Sequence, residues 1–272
     1  MQKISTLLIA LFMASAIFTS CKENEIDGPK TETDCATLKE WTDNQGKRVL
    51  LNQYAFNGDK ISKMTHFGLD GKKTESLAEY DNQGRLVKIS DKISSEGVDA
   101  GTQYLTTFAY YNDGTLSQTD YYKVEDGKNN LLQTRIFYYE NNKVTKLVSS
   151  GGVHWRYEYN EGGNVTKTYF QPASGAEYLE EEYTAYDDKL LANSLPNVVV
   201  LQNISSSSAG LNFSKNNAIA YKVYNPDGSL KTAYSFNRAY NPAGSQTKVV
   251  NTTITGGTTA TATVETEYPT CK

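Results

Sequence analysis

Ring-bearing and polar residues alternate along most of this chain, as with Phe137 and Tyr139 or Tyr157 and Tyr159, and short clusters of Asn, Asp and Gly interrupt the alternation. A period of two places one set of side chains on each face of a strand. The interrupting residues supply the positive-φ positions of a tight reversal, and the next apolar residue re-enters the sheet. One unit, an aromatic residue, a polar turn and an apolar residue, recurs as Phe56 to Ile61, Tyr80 to Leu86, Tyr111 to Leu116, Tyr139 to Val144, Tyr159 to Val165 and Tyr224 to Leu230. Degenerate copies begin at Tyr186 and Tyr240. The uneven period describes a series of hairpins and not a strict solenoid. The expected fold is all-β, an antiparallel β-hairpin meander of roughly 12 to 16 strands forming a strongly twisted or curled sheet. Residues 187–220 break the pattern and predict a long excursion with a short helix or 3₁₀ turn near Leu190 to Leu195.

Composition supports strands: the chain holds 20 tyrosines in 272 residues, and tyrosine suits a half-buried pleated surface. A net charge of −4 without any Lys/Arg run excludes a nucleic-acid footprint. The two histidines, His66 and His154, stand at no metal-ligand spacing. Nucleophile elbows, phosphate-cradling loops and dinucleotide fingerprints are missing from the sequence. The expectation is a protein with no catalytic constellation, cofactor or metal. Glu180-Glu181-Glu182 is the one candidate for a glycosidase carboxylate pair, but consecutive strand residues point to alternate faces, so it reads as a solvated strand edge. His154-Trp155, after two glycines, reads as a structural pair or as a site lining.

The first residues form a signal: Met1-Gln2-Lys3, an apolar run from Leu7 to Phe18, then Phe18-Thr19-Ser20-Cys21. This resembles a bacterial lipoprotein signal, which implies diacylation of Cys21 and attachment to a membrane through lipid; cleavage after Ala14-Ser15-Ala16 is the competing reading. The apolar run is shorter than the roughly 20 residues a spanning helix needs. Lys22, Glu23 and Glu25 follow the cysteine and resemble the export signal of Bacteroidetes surface lipoproteins. The expected organisation is a signal peptide over 1–20, an acidic tether over 21–34 and a hairpin domain over 35–272. Cys35 and Cys271 bracket that domain, either as a bridge tying its ends, in a compartment that permits disulfides, or as two free thiols. A bridge needs α-carbons within about 7 Å, and hence the first and last strands side by side.

Tyr80-Asp81-Asn82-Gln83-Gly84-Arg85-Leu86 resembles the YD repeat of RHS-type proteins. Tyr186-Asp187-Asp188-Lys189, then Ser214-Lys215-Asn216-Asn217 and Cys271, resemble Bacteroidetes lipoproteins that carry an uncharacterised hairpin domain. The resemblance implies an outer-membrane, lipid-anchored protein, displayed at the cell surface or facing the periplasm. Three functions fit: a binding module offering tyrosines to a glycan or protein partner, a structural envelope lipoprotein whose rings are its core, and, with least support, a hydrolase. Exposure of the rings separates the first two.

Overall fold

The computed structural model describes residues 37–58, 60–95, 98–191 and 213–268. Its strands are β1 (Thr37–Asn44), β2 (Lys47–Asn57), β3 (Lys60–Phe67), β4 (Lys72–Tyr80), β5 (Leu86–Ser95), β6 (Val98–Tyr110), β7 (Leu116–Glu125), β8 (Lys128–Glu140), β9 (Lys143–Ser149), β10 (His154–Tyr159), β11 (Val165–Gln171), β12 (Tyr178–Leu190), β13 (Asn216–Tyr224), β14 (Leu230–Tyr240), β15 (Gln246–Thr255) and β16 (Thr258–Glu267). Each pairs antiparallel with the next, and β1 also pairs with β16. The expected twisted or curled meander is therefore corrected: the sheet closes on itself as a barrel. An open sheet would leave rows of unpaired N–H and C=O groups along β1 and β16. Pairing of Lys39 with Glu267 through Thr42 with Val264 removes both edges. Side chains reinforce this seam, Trp41 Nε1 donating to Glu267 Oε2 at 2.8 Å and Thr42 Oγ1 to the Thr263 carbonyl at 2.8 Å.

The excursion is narrower than 187–220. Strand β12 continues to Leu190 and β13 begins at Asn216. Asn216 Nδ2 and Asn217 Nδ2 donate to the carbonyls of Lys189 and Leu190, each at 3.0 Å, and clasp the two strand ends together. Leu190, expected at a helix start, lies in a strand; the remainder of the expected helix falls outside the described residues.

Because hairpins alternate in direction, their turns fall on two rims. The units from Phe56, Tyr80, Tyr111, Tyr139 and Tyr159 all lie on the rim from which Thr37 and Tyr268 also emerge, hereafter the terminal rim. There the tyrosines form a ladder. Tyr80 Oη donates to the Ile61 carbonyl at 2.8 Å, Tyr110 to Leu86 at 2.6 Å, Tyr139 to Leu116 at 2.9 Å, Tyr159 to Val144 at 2.8 Å and Tyr268 to Gln246 at 2.8 Å. Tyr186 donates likewise to Val165. Each ring thus reaches back to the first or second residue of the previous strand and ties adjacent hairpins together. The third unit is counted from Tyr110, one residue earlier than the sequence pattern places it; Tyr111 takes the place that Asp81 holds in the unit before. Tyr139→Phe should cost about 1 kcal/mol, since it removes one partly buried hydrogen bond and strands a carbonyl. Tyr224→Phe, on the outer face, should change the urea midpoint far less, and equal effects would deny the ladder its role.

The turn chemistry explains the YD-like pattern. Asp81 Oδ1 accepts from the amides of Gln83 and Arg85 at 2.9 and 2.8 Å. Gly84 sits at φ 80°, a conformation that side chains with a Cβ rarely adopt. Arg85 pairs with Asp81 at 2.7 Å and lies 4.8 Å over the Tyr110 ring, while Leu86 enters the core at 1 % exposure. The unit from Tyr224 departs from this scheme. It turns at the opposite rim, and its apolar residue Leu230 is 54 % exposed.

Residues paired across the strands share a face, and burial identifies it. Ser76, Ile89, Thr106, Thr119, Leu147, Tyr157, Thr168, Glu181, Tyr183 and Tyr221 are buried and point inward. Tyr221 lies at the centre of an aromatic stack, with Tyr183, Tyr234 and Phe236 at centroid distances of 5.3, 4.6 and 5.9 Å. The opposite phase carries charge, described next.

Candidate functional site

Cys21, Lys22, Glu23, Glu25, Cys35 and Cys271 lie outside the described residues, so what the fold contributes is the arrangement around them. Strands β1 and β16 are adjacent, as a bridge between cysteines flanking them would require. The tyrosines are resolved differently from a recognition surface. All 20 are described, and Tyr111 and Tyr138 are the two in the exposed class, at 42 and 45 %. The others serve the core, the ladder or cross-strand contacts.

The three consecutive glutamates separate as strand geometry requires, with one addition. Glu181 faces inward and Glu182 outward, while Glu180 occupies a bulge between the Thr168–Glu181 and Tyr169–Leu179 pairs. The reading of this run as a solvated edge is thereby corrected. Glu181 is 2 % exposed and accepts a hydrogen bond from Tyr183 Oη at 2.5 Å. Glu182 accepts from Tyr224 Oη at 2.7 Å on the outer face. Burial pushes the Glu180 carboxyl up to about 7, and the neighbouring Trp155 indole and Lys231 charge counteract part of the rise. Neither Trp155 Nε1 nor Glu180 Oε2 completes a hydrogen bond of good geometry. A raised acid beside a second carboxylate is a combination known from glycosidases, but Glu181 is sealed in the core.

His66 belongs to an interior network. Its Nδ1 meets Asn52 Oδ1 at 2.8 Å, and Glu40 Oε2 accepts from Asn52 Nδ2 at 2.8 Å and from Tyr54 Oη at 3.0 Å. His154 pairs across strands with Val148 and Gln171. Among the described residues no group of three His, Cys, Asp or Glu side chains is placed to hold a metal ion.

The outer wall is charged at mid-strand. Glu158, Lys167, Glu182 and Lys222 face one another in a single row across β10 to β13, with alternating sign. Ion pairs continue around the wall: Lys63–Glu75 at 2.6 Å, Lys88–Glu79 at 2.7 Å, Arg156–Glu177 at 2.8 Å and Lys248–Glu265 at 3.4 Å. One stretch differs. Lys63, Leu77, Ser90, Leu105, Tyr122 and Leu131 form a register row across β3 to β8, in which Leu77 is 51 % and Leu131 56 % exposed. A concavity of about 540 Å³ lies over this row, lined by Lys63, Leu77, Lys88, Lys92, Leu105 and Val124 among others. Beneath it Asp91 is lifted by burial, with an opposing contribution from Ser76. Sequence reasoning missed this feature, although the outward phase of β4, where Leu77 stands between Glu75 and Glu79, carries its signal.

Fold and wall together define a closed, sixteen-stranded antiparallel barrel with an aromatic interior and a charged exterior. Comparison with solved structures finds a porin-like protein from Bacteroides uniformis, 13 % identical, with a TM-score of 0.44 over 87 % of this chain and 98 % of that one. A porin-like protein from Bacteroides vulgatus is 10 % identical, with a TM-score of 0.40 over 85 % of this chain and 98 % of that one. No family model and no curated protein matches the chain. Likeness at this level leaves function to be argued from the chain's own residues. No helix among the described residues is long and apolar enough to cross a membrane, a statement that does not bear on barrels.

Proposed function

We propose that this protein is a water-facing barrel of the cell envelope, tethered to the outer membrane by lipid on Cys21, that presents a binding concavity on its wall. The observation that carries the reading is the charge row Glu158–Lys167–Glu182–Lys222 at mid-wall. A barrel that spans a bilayer turns an apolar band outward, and each Lys or Arg at its midplane costs about 2–4 kcal/mol. Lys63, Lys88, Arg156, Lys167, Lys222 and Lys248 all face outward here, so a lipid surround opposes this wall at several points. The use of most rings in the core, the ladder or cross-strand contacts supports tyrosine as scaffold and moves any partner, glycan, protein or other, to the outer surface.

In cells, wild-type protein should partition with membranes and enter the detergent phase, while Cys21→Ala should appear in the aqueous fraction without detergent. A Cys21→Ala chain that stays in the membrane pellet through alkaline extraction would refute the tethered reading in favour of an integral barrel. Protease treatment of the same intact cells reports on surface display, the finer proposal attached to Lys22, Glu23 and Glu25.

A further inference from the structure

We infer that the wall concavity over β3 to β8 binds a single-chain amphipathic anion, its tail lying along the Leu77–Leu105 row and its charged head at Lys92. The inference rests on the water-facing reading of the wall. Charge selects the head. Lys63 is committed to Glu75 at 2.6 Å and Lys88 to Glu79 at 2.7 Å, whereas Lys92 stands across the strands from Glu75, a carboxylate already bridged by Lys63 and Lys73, and makes no ion pair of its own among the described residues. The lining thus holds three lysines, Lys63, Lys88 and Lys92, against the two carboxylates of Glu75 and Asp91. The apolar part selects the tail. The outward-facing Leu77, Leu105 and Val124 are aliphatic, which suits a methylene chain. The row from Leu77 on β4 past Leu105 to β7, the strand of Val124, covers three strand spacings of about 4.8 Å, a run of roughly 14 Å that suits a twelve-carbon chain, and Lys92 on β5 stands beside the start of that row. A volume of about 540 Å³ is in the range of small-molecule sites. An acidic peptide is the poorer occupant, because it binds sheets by adding a strand to an edge and the closed barrel has none.

Calorimetric titration of the unacylated Cys21→Ala chain with sodium laurate should give saturable, one-to-one binding. Butyrate, which lacks the tail, and dodecyltrimethylammonium, which reverses the head, should each bind at least about tenfold more weakly. Lys92→Glu and Leu77→Asp change exposed positions and should leave the urea midpoint within the small range usual for surface substitutions, yet each should weaken laurate about tenfold. Equal affinity for the cationic amphiphile, or laurate binding indifferent to both substitutions, overturns the inference. Co-sedimentation with phosphatidylglycerol vesicles without laurate binding also overturns it, by assigning the hollow to a bilayer surface. None of these outcomes alters the fractionation of Cys21→Ala in cells, so failure here is distinguishable from failure of the tethered barrel.

Discussion

Cys35→Ser/Cys271→Ser should lower the stability of the oxidised protein by as much as about 5 kcal/mol, the ceiling that chain entropy sets for so long a loop. The seam carries the argument. Lys39 pairs with Glu267, Glu40 with Thr266, Trp41 with Glu265 and Thr42 with Val264. A bridge needs α-carbons within about 7 Å, and the adjacency of β1 and β16 is what a bridge between cysteines flanking those strands would require. Urea unfolding of the wild type with and without reductant should reproduce the effect of the double substitution. Two free thiols at these positions in the oxidised protein, detected by non-reducing mass spectrometry, would reject the bridge and leave the seam to its backbone pairs.

Glu180→Gln should flatten the dependence of stability on pH between about pH 5 and about pH 8. The carboxyl has an ordinary value of 4.5 and is raised to about 7 in the folded chain, chiefly by burial. Between those values the native state holds the proton more tightly than the unfolded state does. Stability is therefore full below the ordinary value and is lost as pH rises through about 7. A shift of this size corresponds to about 3 kcal/mol at most, and partial exposure of Glu180 reduces it to about 1–2 kcal/mol. Asp91, also lifted by burial, adds a loss of the same sign that the substitution leaves in place. Urea midpoints at the two pH values decide the matter: a Glu180→Gln slope as steep as the wild type's would mean that Glu180 does not carry the effect.

The hairpins were legible because their signals are local. Tyr80 to Leu86 states an alternating strand, a reversal and a re-entry within seven residues, and each of those residues except Asn82 and Gln83 has an assigned role in the structure. Closure was legible only as a condition of a bridge between Cys35 and Cys271, because Lys39–Thr42 and Val264–Glu267 carry no mark of each other and meet only after fourteen intervening strands have set the curvature. The same limit hid the rim ladder. A tyrosine hydroxyl that bonds a backbone carbonyl leaves no partner residue type to be read, so the abundance of tyrosine suggested recognition where Tyr110, Tyr139 and Tyr159 supply fastening. The misplaced solvated edge at Glu180–Glu182 came from a bulge, which adds one residue to a strand without announcing itself. The excursion was overextended because Asp187–Leu190 and Asn216–Ala220 look irregular in isolation and become strands through the amide clasp of Asn216 and Asn217.

The seam also sets the order in which the barrel assembles. Fifteen of its strand pairings join sequence neighbours and form at low loop-closure cost, whereas β1 and β16 unite side chains as far apart as Trp41 and Glu267, 226 positions along the chain. Non-local pairing is the slow part of β-sheet folding. Until β16 arrives, the growing sheet exposes β1 as an open edge, the template on which chains aggregate. The hydroxyl ladder bears on that interval: by fastening each hairpin to its predecessor, it lets curvature accumulate strand by strand, so that the last strand reaches a partner already bent towards it.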